Sequence, residues 1–213
     1  MQSLFVWMMT TLRDGGYTGV VLLMALESSI VPVPSELIVP PAAFWAAQGQ
    51  MSMPLVLVAA TFGSWIGSSI CYWVSAWVGR PIVASLGRYV GITEHGLQTA
   101  EAWVAAYGMG GIFFSRLLPV IRHLISIPAG ILRMDYLRFS LMTVLGAGLW
   151  ACVLAFFGVQ ILTPDMLSGD PNVVIHAVKA KMHWIVALVV VFAGLYAVMR
   201  WLVSRSQVRK ESA

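Results

Sequence analysis

The chain has 213 residues, 59% of them hydrophobic and 10% charged, with a formal net charge of +4. Soluble domains average about 25% charged residues, so a water-soluble globule is excluded and an integral membrane protein is expected. The basic balance is read as the positive-inside bias of such a protein rather than as a nucleic-acid surface.

Residues 1–15 form a short amphipathic stretch. No basic residue precedes its apolar start and Arg13 comes late, so a cleaved secretory leader is not expected. Residues 16–48 are apolar but interrupted. The stretch LESSIVPVPSELIVPP carries Glu27 and Glu36 on either side of Pro32 and Pro34, with Pro40 and Pro41 just after. Residues 51–79 carry no charge and exceed the ~20 apolar residues that cross a bilayer, so a spanning helix is predicted. Its Ala59, Gly63, Ser64, Gly67 and Ser68 suit close helix packing. Residues 94–106, with Glu94, Glu101, Trp103 and Val104, read as a helix on the cytoplasmic surface.

Residues 107–132 repeat the character of 16–48. They are apolar, broken at Pro119, and carry Arg116 and Arg122 beside the break. Residues 139–164 and 184–203 are two further predicted spans, the second uncharged to Met199 and flanked by Trp184 and Trp201 as interfacial anchors. Between them lies a linker, 165–183, and after them a basic tail, 204–213. The arginines at 80, 88, 133, 138, 205 and 209 outweigh Lys179 and Lys181 in the linker. The tail is therefore expected in the cytoplasm and the linker outside. Cys71 and Cys152 lie in uncharged runs and read as small core residues.

The two broken segments are too short in each leg to span, and fit re-entrant hairpins that enter and leave on one side. The predicted fold is all-α and membrane-integral, with two re-entrant helical hairpins and about three spanning helices. Residues 1–164 form one membrane domain, built as an inverted repeat of about 1–79 and 93–164. Inverted repeats with broken helices are a transporter plan.

In an unbroken helix Glu27 and Glu36 would lie about 180° apart and Arg116 and Arg122 about 240° apart. Proline breaks let both members of each pair turn into one cavity. Burying four charges costs on the order of 10–14 kcal/mol on insertion scales, so they face partners or water. Two readings stand. The glutamates pair with the arginines only to hold the hairpins together, or the arginines receive an anion while the carboxylates exchange protons. Arginine suits phosphate because its planar fork donates two parallel hydrogen bonds and keeps its charge. A carboxylate in a low-dielectric cavity takes up a proton more readily than in water.

The segments LESSIVPVPSELIVPPAAFWAAQG and FFSRLLPVIRHLISIPAGILRMDYLRFSLMTVLGAGLW, in that order, resemble the DedA family of VTT-domain membrane proteins over about residues 16–164. The nearest resemblance is to members that translocate undecaprenyl phosphate, which share the E-S-S-x-x-P-x-P-S-E and R-x-x-P-x-x-R…P-A-G patterns. The resemblance implies that Glu27 and Glu36 serve proton coupling or charge pairing and that Arg116 and Arg122 bind phosphate. From the residues themselves, Pro32, Pro34, Pro119, Pro128 and Gly130 are read as hairpin breaks and Ser35 and His123 as accessory residues, His123 either hydrogen-bonded for structure or touching phosphate. The resemblance implies a polyprenyl phosphate lipid and membrane lipids as partners, no cofactor, no metal, and a multi-pass place in a bacterial cytoplasmic membrane; homo-oligomerisation stays open. This chain departs from many members at Ser68 and Ser69, where they carry an acid, and at His123, where they carry a small residue.

Rival functions are a proton-coupled ion or drug antiporter, which would gain little from two arginines, and a lipid-phosphate phosphatase. The remaining histidines, His95, His176 and His183, lie outside both hairpins, and no H-E-x-x-H spacing occurs. An enzyme is therefore not expected.

Overall fold

A computed structural model describes residues 2–29, 35–80, 94–118 and 121–161, and the isolated Gly194. Among the described residues the chain is helical throughout, without strands. Its elements are α1 (Gln2–Glu27), a 3-10 turn (Ser35–Leu37), α2 (Val39–Ala47), α3 (Met53–Val78), α4 (Glu94–Arg116), α5 (Ile121–Leu124), α6 (Ser126–Ile131) and α7 (Tyr136–Ile161). The expected linker 165–183, last span 184–203 (Gly194 apart) and basic tail 204–213 lie outside the described residues, as do Pro32, Pro34 and Pro119.

Among the described residues two helices, Met53–Val78 and Tyr136–Gln160, are long and apolar enough to cross a membrane. Each carries an apolar outer face, with Leu55, Val58, Phe62, Trp73 and Trp77 on α3 and Leu137, Leu141, Leu145 and Phe156 on α7, all exposed. Apolar outer faces of this kind suit lipid. Cys152 is exposed on α7, whereas Cys71 is buried, so only one of the two cysteines is the core residue expected.

The amphipathic stretches expected at 1–15 and 94–106 are continuous with the segments that follow them. Each joins its successor through one glycine in a left-handed conformation: Gly16 at φ 51°, ψ −127° and Gly108 at φ 51°, ψ −124°. Glycine enters this positive-φ region readily because it has no Cβ, and other residues do so rarely. The helix folds back on itself at each kink. A Cβ on Gly19 would meet the Thr11 carbonyl at 2.3 Å, and one on Gly111 the Trp103 and Tyr107 side chains at 3.0 Å. The Trp103 indole N–H donates to Gly111 O at 3.0 Å and closes the second kink.

After Gly16, the buried residues of α1 are Gly19, Val20, Leu23, Met24 and Glu27. They recur at helical spacing, so the stripe that packs α1 inward also carries Glu27 inward. It packs on the small-residue face of α3, where Gly63 lies under Val21 O and Gly67 under Ala25 O, with a Cβ only 2.4 and 2.1 Å away. Removing either Cβ is what permits that approach.

Pro128 and Gly130 are not hairpin breaks. Both are buried inside α6. Pro128 sits in the first turn, where no intrahelical N–H bond is lost. Gly130 lets α6 touch α3, since a Cβ there would lie 2.3 Å from Tyr72 O. Pro40 and Pro41 likewise fall in the first turn of α2, and α2 packs on α7 where Gly158 meets Pro40. The result is a core in which the inner face of α7 touches both α2 and the end of α4.

Candidate functional site

Among the described residues three charged side chains are buried: Glu27 at 1%, Arg116 at 3% and Arg122 at 6% exposure. Glu27 ends α1 and Arg122 lies in α5, and their carboxylate and guanidinium form an ion pair through Oε1 and Nη2. The other carboxylate oxygen accepts from Ser28 Oγ at 2.7 Å, and Ser28 Oγ shares a 2.7 Å hydrogen bond with Ser64 Oγ on α3. Arg122 Nη2 also donates to Ser35 Oγ at 2.5 Å. Its guanidinium stands 5.4 Å over the ring of Trp150, whose N–H points to the same Ser35 oxygen at 3.4 Å. Arg122 is therefore held from three elements, α1, the 3-10 turn and α7.

Arg116 ends α4 in a different setting. Its Nη2 donates to Ser126 Oγ at 2.7 Å and its guanidinium lies 5.9 Å over Phe139. Among the described residues it forms no ion pair, and its Nε is buried without a hydrogen-bond partner. One charged hydrogen bond contributes about 1.5–3 kcal/mol and a desolvated cation–π contact about 2. Burying a cation costs several kcal/mol, which these contacts offset in order of magnitude, yet no anion among the described residues neutralises the charge of Arg116 and its Nε stays unpaired. Such a group calls for an anion.

The sequence-based expectation put all four charges in one cavity. The structure brings Glu27 and Arg122 together and leaves Glu36 apart, exposed in the 3-10 turn. Successive residues of such a turn point about 120° apart, and there Ser35 takes the inward direction. Nor do the arginines share a partner: Phe139 and Trp150 lie about 16 Å apart along α7. The His123 side chain lies outside the described residues. Sequence reasoning missed Ser28, Ser64, Ser126, Phe139 and Trp150. Uncharged residues in apolar runs give no signal except their helical register against the arginines.

The VTT domain model matches residues 33–160, which include both arginines, Ser35 and Glu36, with Glu27 just before. The chain belongs to the VTT-domain family, the DedA proteins. This DedA protein is 33% identical over 161 residues to undecaprenyl phosphate transporter A of Bacillus subtilis, covering 76% of this chain and 79% of that relative. It is 27% identical over 198 residues to the protein of that name from Staphylococcus aureus, covering 91% and 94%. A Lactococcus lactis relative called alkaline phosphatase-like protein is 32% identical over 163 residues, covering 74% and 75%. No solved structure matches the chain.

Proposed function

We propose that this DedA protein carries undecaprenyl phosphate, or a similar polyprenyl phosphate, from the outer to the inner leaflet of the bacterial cytoplasmic membrane. The observation that carries this reading is the buried guanidinium of Arg116, which forms no ion pair among the described residues. The names of the Bacillus and Staphylococcus relatives support the same cargo. A phosphate head group cannot readily cross hydrocarbon unaided, and two buried arginines supply the fork geometry that phosphate takes.

In this reading residues 1–164 are the transport domain, made of two re-entrant hairpins in an inverted repeat. The matched kinks at Gly16 and Gly108 support the repeat. The tail is cytoplasmic. Glu27 holds Arg122 while the carrier is empty, and phosphate and carboxylate compete for that cation. A proton on Glu27 favours the lipid, which links transport to pH. Glu36, exposed in the turn, does not share in this exchange.

The test is reconstitution in liposomes with a labelled polyprenyl phosphate, reading its movement between leaflets with and without a pH gradient. Protein-dependent movement is expected, and its absence in active, folded protein rejects the reading. The Lactococcus name favours a second reading, hydrolysis of the phosphate ester. Phosphate release in the same liposomes separates the two, and transport without release is expected.

A further inference from the structure

Arg116 lies along α7 rather than merely against it. A Cβ on Gly146 would be 2.6 Å from Arg116 Cβ and 3.1 Å from its Cγ, while the guanidinium carbon stands over Phe139. Gly146 and Phe139 are seven residues apart, two turns of one helix face. Thr143 lies between them on that face, four residues after one and three before the other. Helix register therefore puts Thr143 on the stretch of α7 between the two points that the Arg116 side chain meets. Thr143 is fully buried, and among the described residues its hydroxyl has no hydrogen-bond partner. The same is true of Arg116 Nε. Ser126, also fully buried, accepts from Arg116 Nη2 through its oxygen, which leaves its own O–H to donate.

Buried donors are ordinarily satisfied. Here a guanidinium N–H, the Ser126 hydroxyl bonded to that guanidinium and the Thr143 hydroxyl on the α7 face it runs along have donor capacity to spare among the described residues. Their common complement is a tetrahedral oxyanion, which accepts at several oxygens at once. Arg122 Nε also lacks a partner, but its charge is already paired with Glu27 and its Nη2 donates to Ser35.

We propose that Ser126 and Thr143 are head-group ligands which, with Arg116, form a cradle for a phosphate monoester, and that the lipid loads there before it reaches Arg122. This rests on the phosphate-transport reading and adds to it an order of contact and two specificity-determining hydroxyls. The guanidinium supplies charge. The hydroxyls distinguish a phosphate head group, with three terminal oxygens, from a carboxylate, with two.

The test measures thermal shift of the detergent-purified full chain with farnesyl phosphate and with inorganic phosphate, for wild type, Thr143→Val, Thr143→Ser and Ser126→Ala. Thr143→Val keeps the shape and removes a hydroxyl that is unpaired in the unliganded protein, so melting without ligand stays near wild type. The half-saturating concentration of farnesyl phosphate is expected to rise at least tenfold in Thr143→Val and Ser126→Ala and to recover in Thr143→Ser. A parallel change with inorganic phosphate assigns the contact to the head group alone. A change with farnesyl phosphate only assigns it to phosphate carried on a lipid. Both support the cradle. Wild-type protein that responds to neither ligand, or Thr143→Val and Ser126→Ala that both respond as wild type, overturns it. Transport in liposomes is read alongside. Thr143-dependent binding without transport rejects the transport reading and keeps the cradle. Transport with binding indifferent to Thr143 and Ser126 does the reverse.

Discussion

Arg122 reaches out of a four-residue helix to pair with Glu27 at the end of α1, so the two broken segments of the chain are joined by one buried ion pair. Removing one partner of such a pair strands the other charge and costs roughly 3–5 kcal/mol. Glu27→Ala and Arg122→Ala are each expected to lower stability by that order. The double variant should lose less than the sum, with a coupling of about 0.5–3 kcal/mol. Denaturation of the four proteins in one detergent measures this. Additive losses would show that the pair does not hold the segments together.

The same pair sets the expected pH response. Above the pH at which Glu27 takes up a proton, its carboxylate competes with phosphate for Arg122; below it, the competition is relieved. Transport should therefore rise as the outer face is acidified. Glu27→Gln keeps the shape and the Ser28 contact while removing the charge, so it should transport with little dependence on pH. Full transport with the wild-type pH profile in Glu27→Gln would make the glutamate scaffolding. Glu36→Gln, in the exposed position, should leave the profile unchanged.

Two glycines on α7 give a sharper contrast. A methyl at Gly146 would collide with the Cβ of Arg116, whereas one at Gly148 would meet only Thr61 at an ordinary 3.5 Å. Gly148→Ala is expected to be neutral or to stabilise by up to about 1 kcal/mol through helix propensity. Gly146→Ala should push Arg116 off its face and reduce transport at least tenfold. Expression and melting of both variants, beside liposome transport, check the pair. Equal transport in both would mean that the position of Arg116 over α7 has no bearing on function.

The membrane character, the broken segments and the buried charges Glu27, Arg116 and Arg122 were legible in the sequence because charge in an apolar run is costly. Each stood out against its neighbours. The glycines before them were legible too, but not what they do: helices α1 and α4 run through Gly16 and Gly108 by turning, so one helix was read as two elements. Proline was over-read. Pro128 is harmless in the first turn of α6, and composition cannot tell a first turn from a break. The choice between Ser35 and Glu36 was illegible because a 3-10 turn departs from the α-helical register on which the angular argument rested. Thr143 and Ser126 carry no charge and only matter once Arg116 is laid along α7.

Charge and geometry at the arginines are separable by lysine. Arg116→Lys keeps the cation but loses the fork that reaches Ser126 on one side and leaves Nε free on the other. Arg122→Lys can still meet Glu27 as a point charge, yet it cannot stack on Trp150 and hold Ser35 in the same posture. Melting of Arg122→Lys is therefore expected to fall less than that of Arg122→Ala, since the ion pair survives in part. Transport should drop at least tenfold in both lysine variants, because a bidentate phosphate contact has no ammonium equivalent. Liposome transport at matched protein content decides the matter. Lysine variants that carry lipid at the wild-type rate would show that the site asks only for positive charge, and the fork-to-phosphate contact would be discarded.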